Sequence, residues 1–221
     1  MATENQSVDR RIARTRLAIR DALVTLIKEK GFDAITVRDI VDRANINRST
    51  FYLHYKDKFD LLEQTETEIL QELQHIFLQV NALPAGDLNR PDQLQRLVIL
   101  LFEYIKEHAD LMYVLLGLQG NYSFITRIRN TAEQNLKLGV LSVLKAENFL
   151  VPREYLISYV LHAHLGVFQA WLVNGCKESP QEMAGILLRL SLDGPMRAAG
   201  FGINTSFSTV LSGNATHSYR G

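Results

Sequence analysis

Residues 35–58 of the 221-residue chain, ITVRDIVDRANINRSTFYLHYKDK, predict two short helices that are joined by a tight turn. Thr36 is a suitable N-cap for the first helix, and Asp39 three residues later is its capping-box partner. Asn47 is a suitable N-cap for the second helix. A longer helix, predicted over residues 9–30, precedes both of them. This order of elements is the helix-turn-helix pattern.

The second short helix has the side chains that a DNA-reading helix needs. Phe51 would anchor it inward, and its exposed start would present the cation Arg48 and two hydroxyls, which suit base edges and phosphates in a major groove. The alternative is a generic three-helix bundle in which Tyr52 and Tyr55 are only core residues. For Tyr55 both roles are compatible, with the ring packed inward and the hydroxyl pointing outward. The residues that we expect to contact DNA are Thr36, Arg38, Asn47, Arg48, Ser49, Thr50, Tyr52, His54, Tyr55, Lys56 and Lys58.

Charge is distributed unevenly along a chain whose formal net charge is zero. Residues 1–58 contain 12 Lys and Arg against 8 Asp and Glu, whereas residues 59–221 contain 12 against 16. A basic excess confined to a small part of a chain is expected where that part meets a polyanion. A solvated helix face would give the same pattern. Zero net charge does exclude a bulk polycation.

The cysteine content and the hydropathy pattern predict a cytoplasmic protein. The chain has one cysteine, Cys176, which excludes a disulfide framework and indicates a reducing compartment. It has no uninterrupted apolar run of about 18 residues, so we expect no membrane span. Its N-terminal residues lack the apolar segment of a secretory signal.

The sequence contains no motif for catalysis or for binding a cofactor. The patterns G-x-S-x-G, Walker A and G-x-G-x-x-G are all absent. His162 and His164 are two residues apart on a predicted helix, so they face opposite sides and do not form a metal site. One of them is better explained as a pocket or interface residue. We therefore expect no enzyme activity, no metal and no cofactor.

Helical periodicity continues along the rest of the chain, so the expected fold is all-α with about nine helices. Proline and glycine mark the breaks between the helices. The tail over residues 200–221 is rich in Ser, Thr, Asn and Gly, and we expect it to be disordered. The helices predicted after residue 56 span residues 57–80, 92–107, 108–118, 121–147, 153–174 and 180–199.

Residues 9–65 resemble the DNA-binding domain of TetR/AcrR-type transcriptional regulators. The family pattern is roughly T-hydrophobic-x-x-I-A, followed by A-G-V-S-x-G-T-hydrophobic-Y-x-H/Y-F-x-x-K. Asn45 replaces a frequent glycine, and asparagine tolerates the left-handed backbone that this turn requires. Residues 168–183, FQAWLVNGCKESPQEM, resemble a Firmicutes-type subgroup of the family. The chain departs from the first pattern at Val41, Asp42, Asn45, Asn47 and Ser49.

The resemblance implies a homodimer in which the last two long helices, here residues 153–174 and 180–198, form a four-helix bundle with those of a partner. The alternative is that their apolar faces cover each other within one chain. The interface residues expected from this are Leu156, Tyr159, Val160, Ala163, Val167, Met183, Ile186, Leu187 and Leu190.

The resemblance also implies a small-molecule effector pocket in the C-terminal half. It divides the chain into a helix-turn-helix DNA-binding domain at residues 9–58 and a helical effector-binding and dimerisation domain at residues 59–199. The helix over residues 57–80 would link the two and act as a lever. Candidates for the pocket combine aromatic, apolar and polar groups, as ligand sites do: Tyr104, His108, Met112, Tyr113, Leu116, Phe124, His164 and Phe168.

Three functions are compatible with these features. The first is a dimeric regulator, usually a repressor, that binds a near-palindromic operator on double-stranded DNA in the bacterial nucleoid and is released by a small molecule. The second is a dimeric DNA-binding protein without an inducer, which acts in chromosome organisation or through a protein partner. The third is a helical enzyme or carrier without a DNA role. We expect the first, and a two-fold dimer would place its recognition helices about 34–36 Å apart.

Overall fold

The computed structural model describes residues 2–81, 91–117, 122–138 and 149–200. Within these ranges the chain forms ten α-helices and no β-strand. The all-α prediction is therefore confirmed. The helices are α1 (Ala2–Lys30), α2 (Val37–Arg43), α3 (Arg48–Tyr52), α4 (Lys58–Asn81), α5 (Pro91–Glu107), α6 (Ala109–Leu116), α7 (Tyr122–Leu138), α8 (Arg153–Val173), α9 (Pro180–Leu192) and α10 (Gly194–Ala198).

Local chemistry sets the boundaries of the helix-turn-helix. The hydroxyl of Thr36 accepts a hydrogen bond from the backbone N–H of Asp39, and the Asp39 carboxylate accepts one from the backbone N–H of Thr36 (2.8 Å). The predicted capping box is therefore present. Gly31, at φ +75°, ends α1, and Asn45, at φ +53°, makes the left-handed turn between α2 and α3. Asn47 precedes α3 as predicted, but its side chain makes no capping hydrogen bond.

The buried side chains form two cores that share α4. The first core holds α1, α2, α3 and the start of α4 together around Ile40, Phe51 and Leu61. The second core joins α4 to the C-terminal helices around Phe102 and Trp171. A movement of α4 in one core is thus linked mechanically to the other.

Apart from shifts of one or two residues at helix ends, one C-terminal helix differs from its predicted span, and another is described only in part. The helix expected over residues 180–199 is divided, because Gly194 adopts φ +78° and separates α9 from α10. The helix expected over residues 121–147 is seen as α7, and its predicted continuation lies outside the described residues. The predicted disordered tail also lies, from residue 201 onward, outside them.

Helix α8 is both long and apolar. By length and composition alone it is able to span a membrane, and it is the one such helix within the described ranges. About 17% of its most apolar window is buried inside the chain. The described part of a single chain therefore leaves much of this helix exposed.

Candidate nucleic-acid interface and ligand cavity

Helix α3 has one buried side and one exposed side. Phe51 is fully buried in the first core, whereas Arg48, Ser49 and Tyr52 are exposed. The Arg48 guanidinium donates a hydrogen bond to the Tyr52 hydroxyl (Nη2 to Oη, 3.1 Å) and lies over its ring. A cation, a hydroxyl and an aromatic ring are therefore presented together, and these groups suit both base edges and phosphates.

The residues that were expected to contact DNA differ in how exposed they are. Thr50, His54 and Lys58 are partly buried, and Tyr55 is buried. The exposed members of the set are Thr36, Arg38, Asn47, Arg48, Ser49, Tyr52 and Lys56.

The ring of Tyr55 is packed inward as expected, but its hydroxyl is bonded within the chain instead of pointing outward. Only 4% of the residue is exposed, and its hydroxyl accepts a hydrogen bond from Arg16 Nε (3.3 Å). Burial raises the pKa of the Tyr55 phenol, and the bond from Arg16 opposes that rise. The hydrogen bond to Tyr55, together with the nearby Glu68 carboxylate, raises the pKa of Arg16. Tyr55 therefore connects α3 to α1 through its hydroxyl and does not present that group to DNA.

Lys58 has partners within its own chain. Its ammonium donates hydrogen bonds to the backbone carbonyls of Phe32 (3.1 Å) and Asp33 (2.9 Å), and it lies over the rings of Phe32 and Phe59. These bonds use two of its three N–H donors. One donor is left for a phosphate oxygen, so Lys58 is able to brace the turn after α1 and to contact DNA at the same time.

Polar side chains attach α4 to the helices on either side of it. Arg16 of α1 forms a salt bridge with Glu68 of α4. On the other side, Arg127 of α7 pairs with the buried Glu66 carboxylate (3.0 Å). Asn135 of α7 exchanges hydrogen bonds with Gln74 of α4. Helix α4 is therefore positioned by directional contacts as well as by apolar packing.

A cavity of about 200 Å³ lies among α4, α5, α6, α7 and α8. Its lining is almost entirely apolar, with Leu73 and Phe77 from α4, Leu101 from α5 and Ile128 from α7. Sequence reasoning missed these four residues, because an apolar residue that lines a cavity has the same helical spacing as one that fills a core. Four of the eight predicted pocket residues also line it: Met112, Leu116, His164 and Phe168.

The other four predicted pocket residues lie elsewhere. Phe124 is fully buried in the second core, and Tyr113 is 45% exposed with its ring near the Lys28 ammonium. The Tyr104 ring packs at a tilted angle against the ring of His108, whose Nε2 lies 3.9 Å from the Glu72 carboxylate. These side chains make contacts outside the cavity, so we leave them out of the candidate site.

His164 joins the cavity to α9. Its Nε2 lies 2.9 Å from Ser191 Oγ, and that hydroxyl already donates to the Leu187 carbonyl. The Ser191 oxygen therefore accepts the hydrogen bond from His164 Nε2–H. Burial lowers the pKa of His164 below its ordinary value.

The expected interface residues on α8 and α9 also have different exposures. Tyr159 and Ile186 are 57% and 44% exposed. Met183 and Leu187 instead belong to the buried second core of the same chain, because α9 packs that side against α5 and α8. These two are corrected to core residues. Ala163 is exposed, and Leu156, Val160, Val167 and Leu190 are partly buried.

Residues 19–65 match a family model described as bacterial regulatory proteins, tetR family, and residues 92–193 match one described as a transcriptional regulator C-terminal region. The negative regulator of a biofilm operon in Staphylococcus aureus, IcaR, is 30% identical over 103 residues. That match covers 45% of this chain and 52% of IcaR. The chain spans at most 60% of the length of the first curated relatives that it matches.

Solved structures show the same fold. A TetR transcriptional regulator from Streptococcus agalactiae is 25% identical with a TM-score of 0.56, and the match covers 84% of this chain and 98% of that one. FadR from Bacillus subtilis, solved in complex with stearoyl-CoA, is 20% identical with a TM-score of 0.57, covering 80% and 98%. Both family models are of transcriptional regulators and together they match more than half of the chain, which belongs to the TetR family of bacterial transcriptional regulators.

Proposed function

We propose that this regulator is a ligand-responsive repressor that binds a near-palindromic operator as a homodimer in the cytoplasm. The observation that carries the proposal is helix α3, which buries Phe51 and exposes Arg48, Ser49 and Tyr52. Residues 9–58 would bind DNA, and residues 59–199 would bind the effector and dimerise. IcaR is a negative regulator, which favours repression over activation for this chain.

A stripe on α8 favours dimerisation through α8 and α9. Its exposed members are Tyr155, Tyr159, Ala163, Gly166 and Ala170, which recur every three or four residues and so share one face of the helix. The three small residues would allow the helix of a second copy to approach closely. A two-fold axis beside this stripe would bring the same residues of both copies together.

The cavity favours control by a small molecule. FadR, which has the same fold, was solved with stearoyl-CoA bound, so this architecture is able to hold an amphipathic ligand. A ligand among α4, α5 and α7 would favour one position of α4, because α4 lines the cavity through Leu73 and Phe77. Since α4 also belongs to the first core, its new position would change the spacing between the α3 helices of the two copies, which are the recognition helices. This change would shift the population away from the DNA-bound form.

The second candidate is a dimeric DNA-binding protein without an inducer, which acts in chromosome organisation or through a protein partner. It would use the same helix α3 but would have no use for an open apolar cavity. The cavity therefore favours the ligand-responsive repressor, and release of a bound operator by a small molecule distinguishes the two candidates.

The test is selection of bound duplexes from a random DNA pool by the purified full-length protein at moderate salt. We expect a motif with two inverted half-sites whose centres are separated by about one helical turn, roughly 34–36 Å. A folded protein that enriches no motif would contradict sequence-specific repression and would favour the second candidate. An operator recovered in this way then serves as the reporter for effector release.

A further inference from the structure

The apolar cavity adjoins a polar groove, with which it shares lining residues. The groove lies between α7 and α8, has a volume of about 350 Å³ and is lined mainly by charged and polar side chains. Arg129, Leu161 and His162 line both the cavity and the groove. A molecule that enters from the groove would therefore pass from charged surroundings into an apolar interior.

Among the described residues that line this groove, cations outnumber carboxylates. Its cations are Arg129, Lys137 and Arg153, and its carboxylates are Glu133 and Glu154. Lys137 and Glu133 neutralise each other in an i, i+4 ion pair of 2.6 Å. The remaining charge favours an anion over a cation.

Arg129 is the cation that reaches the boundary between the two spaces. It is partly buried, and it makes no ion pair with any residue in the described ranges of the chain. Its neighbour on α7, Arg127, is by contrast paired with Glu66. A guanidinium that is partly removed from water and has no carboxylate partner is suited to a bidentate interaction with a carboxylate or phosphate.

We infer that the effector is an amphipathic anion, with its hydrocarbon part in the apolar cavity and its carboxylate or phosphate on Arg129. The inference rests on the proposed function, since it names the class of ligand for the same cavity. None of the described residues that line the cavity is acidic, so none of them would hold a cationic head group. Arg129, the cation among the described residues that line the cavity, also lines the groove, so the head group would lie at the end of the cavity that meets the groove.

Trp171 provides a built-in reporter of occupancy. It is the only tryptophan in the chain and is 2% exposed. Its ring packs against Phe102 (5.1 Å between centroids), which packs against the cavity residue Phe168 (4.8 Å). A ligand that moves Phe168 should therefore change the fluorescence of Trp171.

The experiment titrates the full-length protein with dodecanoate, dodecyl phosphate, dodecanol and dodecyltrimethylammonium, and follows Trp171 fluorescence and heat of binding. We expect at least one of the two anions to bind about tenfold more tightly than the alcohol, as one charge-assisted interaction would provide. Comparison of the two anions identifies the head group. The Arg129→Gln variant should lose this preference, whereas Arg197→Gln, an exposed change on α10, should keep it.

The opposite results would overturn the inference. These are equal binding of the alcohol and both anions, tighter binding of the cation, binding of none of the four, or a preference that survives in Arg129→Gln. Ala132→Phe, which fills the cavity, should weaken all four ligands together, and circular dichroism establishes that this variant is folded. Since Arg129 is partly exposed, Arg129→Gln tests the proposal even where Ala132→Phe does not fold.

Release of the selected operator is measured separately with the same ligands. An anion that binds through Arg129 without releasing DNA would contradict the proposed effector role and leave the ligand class intact. A neutral or cationic ligand that releases DNA would support a ligand-responsive repressor and contradict the ligand class.

Discussion

Arg48 and Tyr52 form a unit on the exposed side of α3, where the tyrosine hydroxyl and ring hold the guanidinium in place. We predict that Arg48→Ala weakens binding to the selected operator and relaxes the preference at one base position by about 1–3 kcal/mol, because one bidentate base contact is lost. Competition among duplexes with single base-pair replacements measures the effect at each position.

Arg48→Lys is the matched control for charge. Lysine keeps the cation but lacks the planar fork that donates two parallel hydrogen bonds. It should therefore retain most of the affinity for unrelated DNA while losing the base preference. A base preference that is unchanged in both variants would contradict direct reading by Arg48.

Lys58 combines a structural role with a proposed DNA contact. We predict that Lys58→Ala lowers the free energy of unfolding by about 1 kcal/mol, because the carbonyls of Phe32 and Asp33 lose a charged donor. It should also weaken binding to all DNA sequences alike and reduce the salt slope by about one. Urea unfolding and binding at several salt concentrations measure the two effects. Lys56→Ala, which removes an exposed cation, is the control and should change only the DNA binding. If Lys58→Ala alters neither the free energy of unfolding nor the salt slope, both roles of Lys58 are disproved.

His164 makes the free energy of unfolding depend on pH, and because the residue is partly buried, this free energy decreases as the pH falls. Its folded-state pKa is lowered, so the unfolded chain takes up a proton at a higher pH than the folded chain does. The contribution of neutral His164 to the free energy of unfolding is fully present above about pH 6.5 and is lost as the pH falls through the folded-state pKa. We predict that His164→Gln, which keeps a donor for Ser191 but does not titrate, loses less unfolding free energy than the wild type as the pH falls from about 7 to about 5. Urea unfolding over this range measures the difference, and identical slopes would contradict the assignment.

At the scale of the element, the turn between α2 and α3 depends on the left-handed backbone of Asn45. We predict that Asn45→Gly keeps the unfolding free energy within about 0.5 kcal/mol of the wild type, whereas Asn45→Val lowers it by about 1–2 kcal/mol. The side chain is exposed, so the difference between the two variants reports the backbone and little lost packing. Thermal or urea unfolding measures it, and equal stability of the two variants would mean that the turn has another conformation.

Elements fixed by local chemistry could be predicted from the sequence, and those fixed by distant contacts could not. Thr36 is a residue type that caps helices through its hydroxyl, and Asn45 is one that tolerates a left-handed turn, so the helix boundaries around them followed from sequence alone. The inward hydroxyl of Tyr55 depends on Arg16, which lies 39 positions earlier in the chain. Phe124 and Phe168 look alike in a sequence, yet one fills the core and the other lines the cavity. Only the packing of α5, α7 and α8 decides between them.

At the scale of the whole molecule, two helices connect the helix-turn-helix to the rest of the chain. Helix α1 contacts α6, where Lys28 pairs with Asp110, and α4 belongs to both cores and lines the cavity. The start of α4 packs in the first core, and its middle lines the cavity and is attached to α7 by Arg127 and Asn135. Directional contacts of this kind have discrete arrangements, so a ligand is able to favour one position of α4 over another. In a monomer such a shift would have little effect on DNA binding, because the spacing between two α3 helices exists only in a dimer. The proposed mechanism therefore requires the dimer.

The dimer provides the last prediction. Tyr159→Glu and Ile186→Glu each place a carboxylate on the exposed face of α8 and α9 that we propose as the interface. Two-fold symmetry would bury the introduced charge in both copies without a partner, so we predict that the dissociation constant of the dimer rises by about two orders of magnitude or more. Tyr113→Glu is the matched control, since Tyr113 is 45% exposed and lies on α6, which is not part of the proposed interface. Sedimentation velocity should find monomers for the first two variants and dimers for the control. The monomeric variants should bind a full operator no more tightly than they bind a single half-site. A dimer that survives both charges would mean that another surface joins the two copies, and the apolar stripe of α8 would then need a different covering partner.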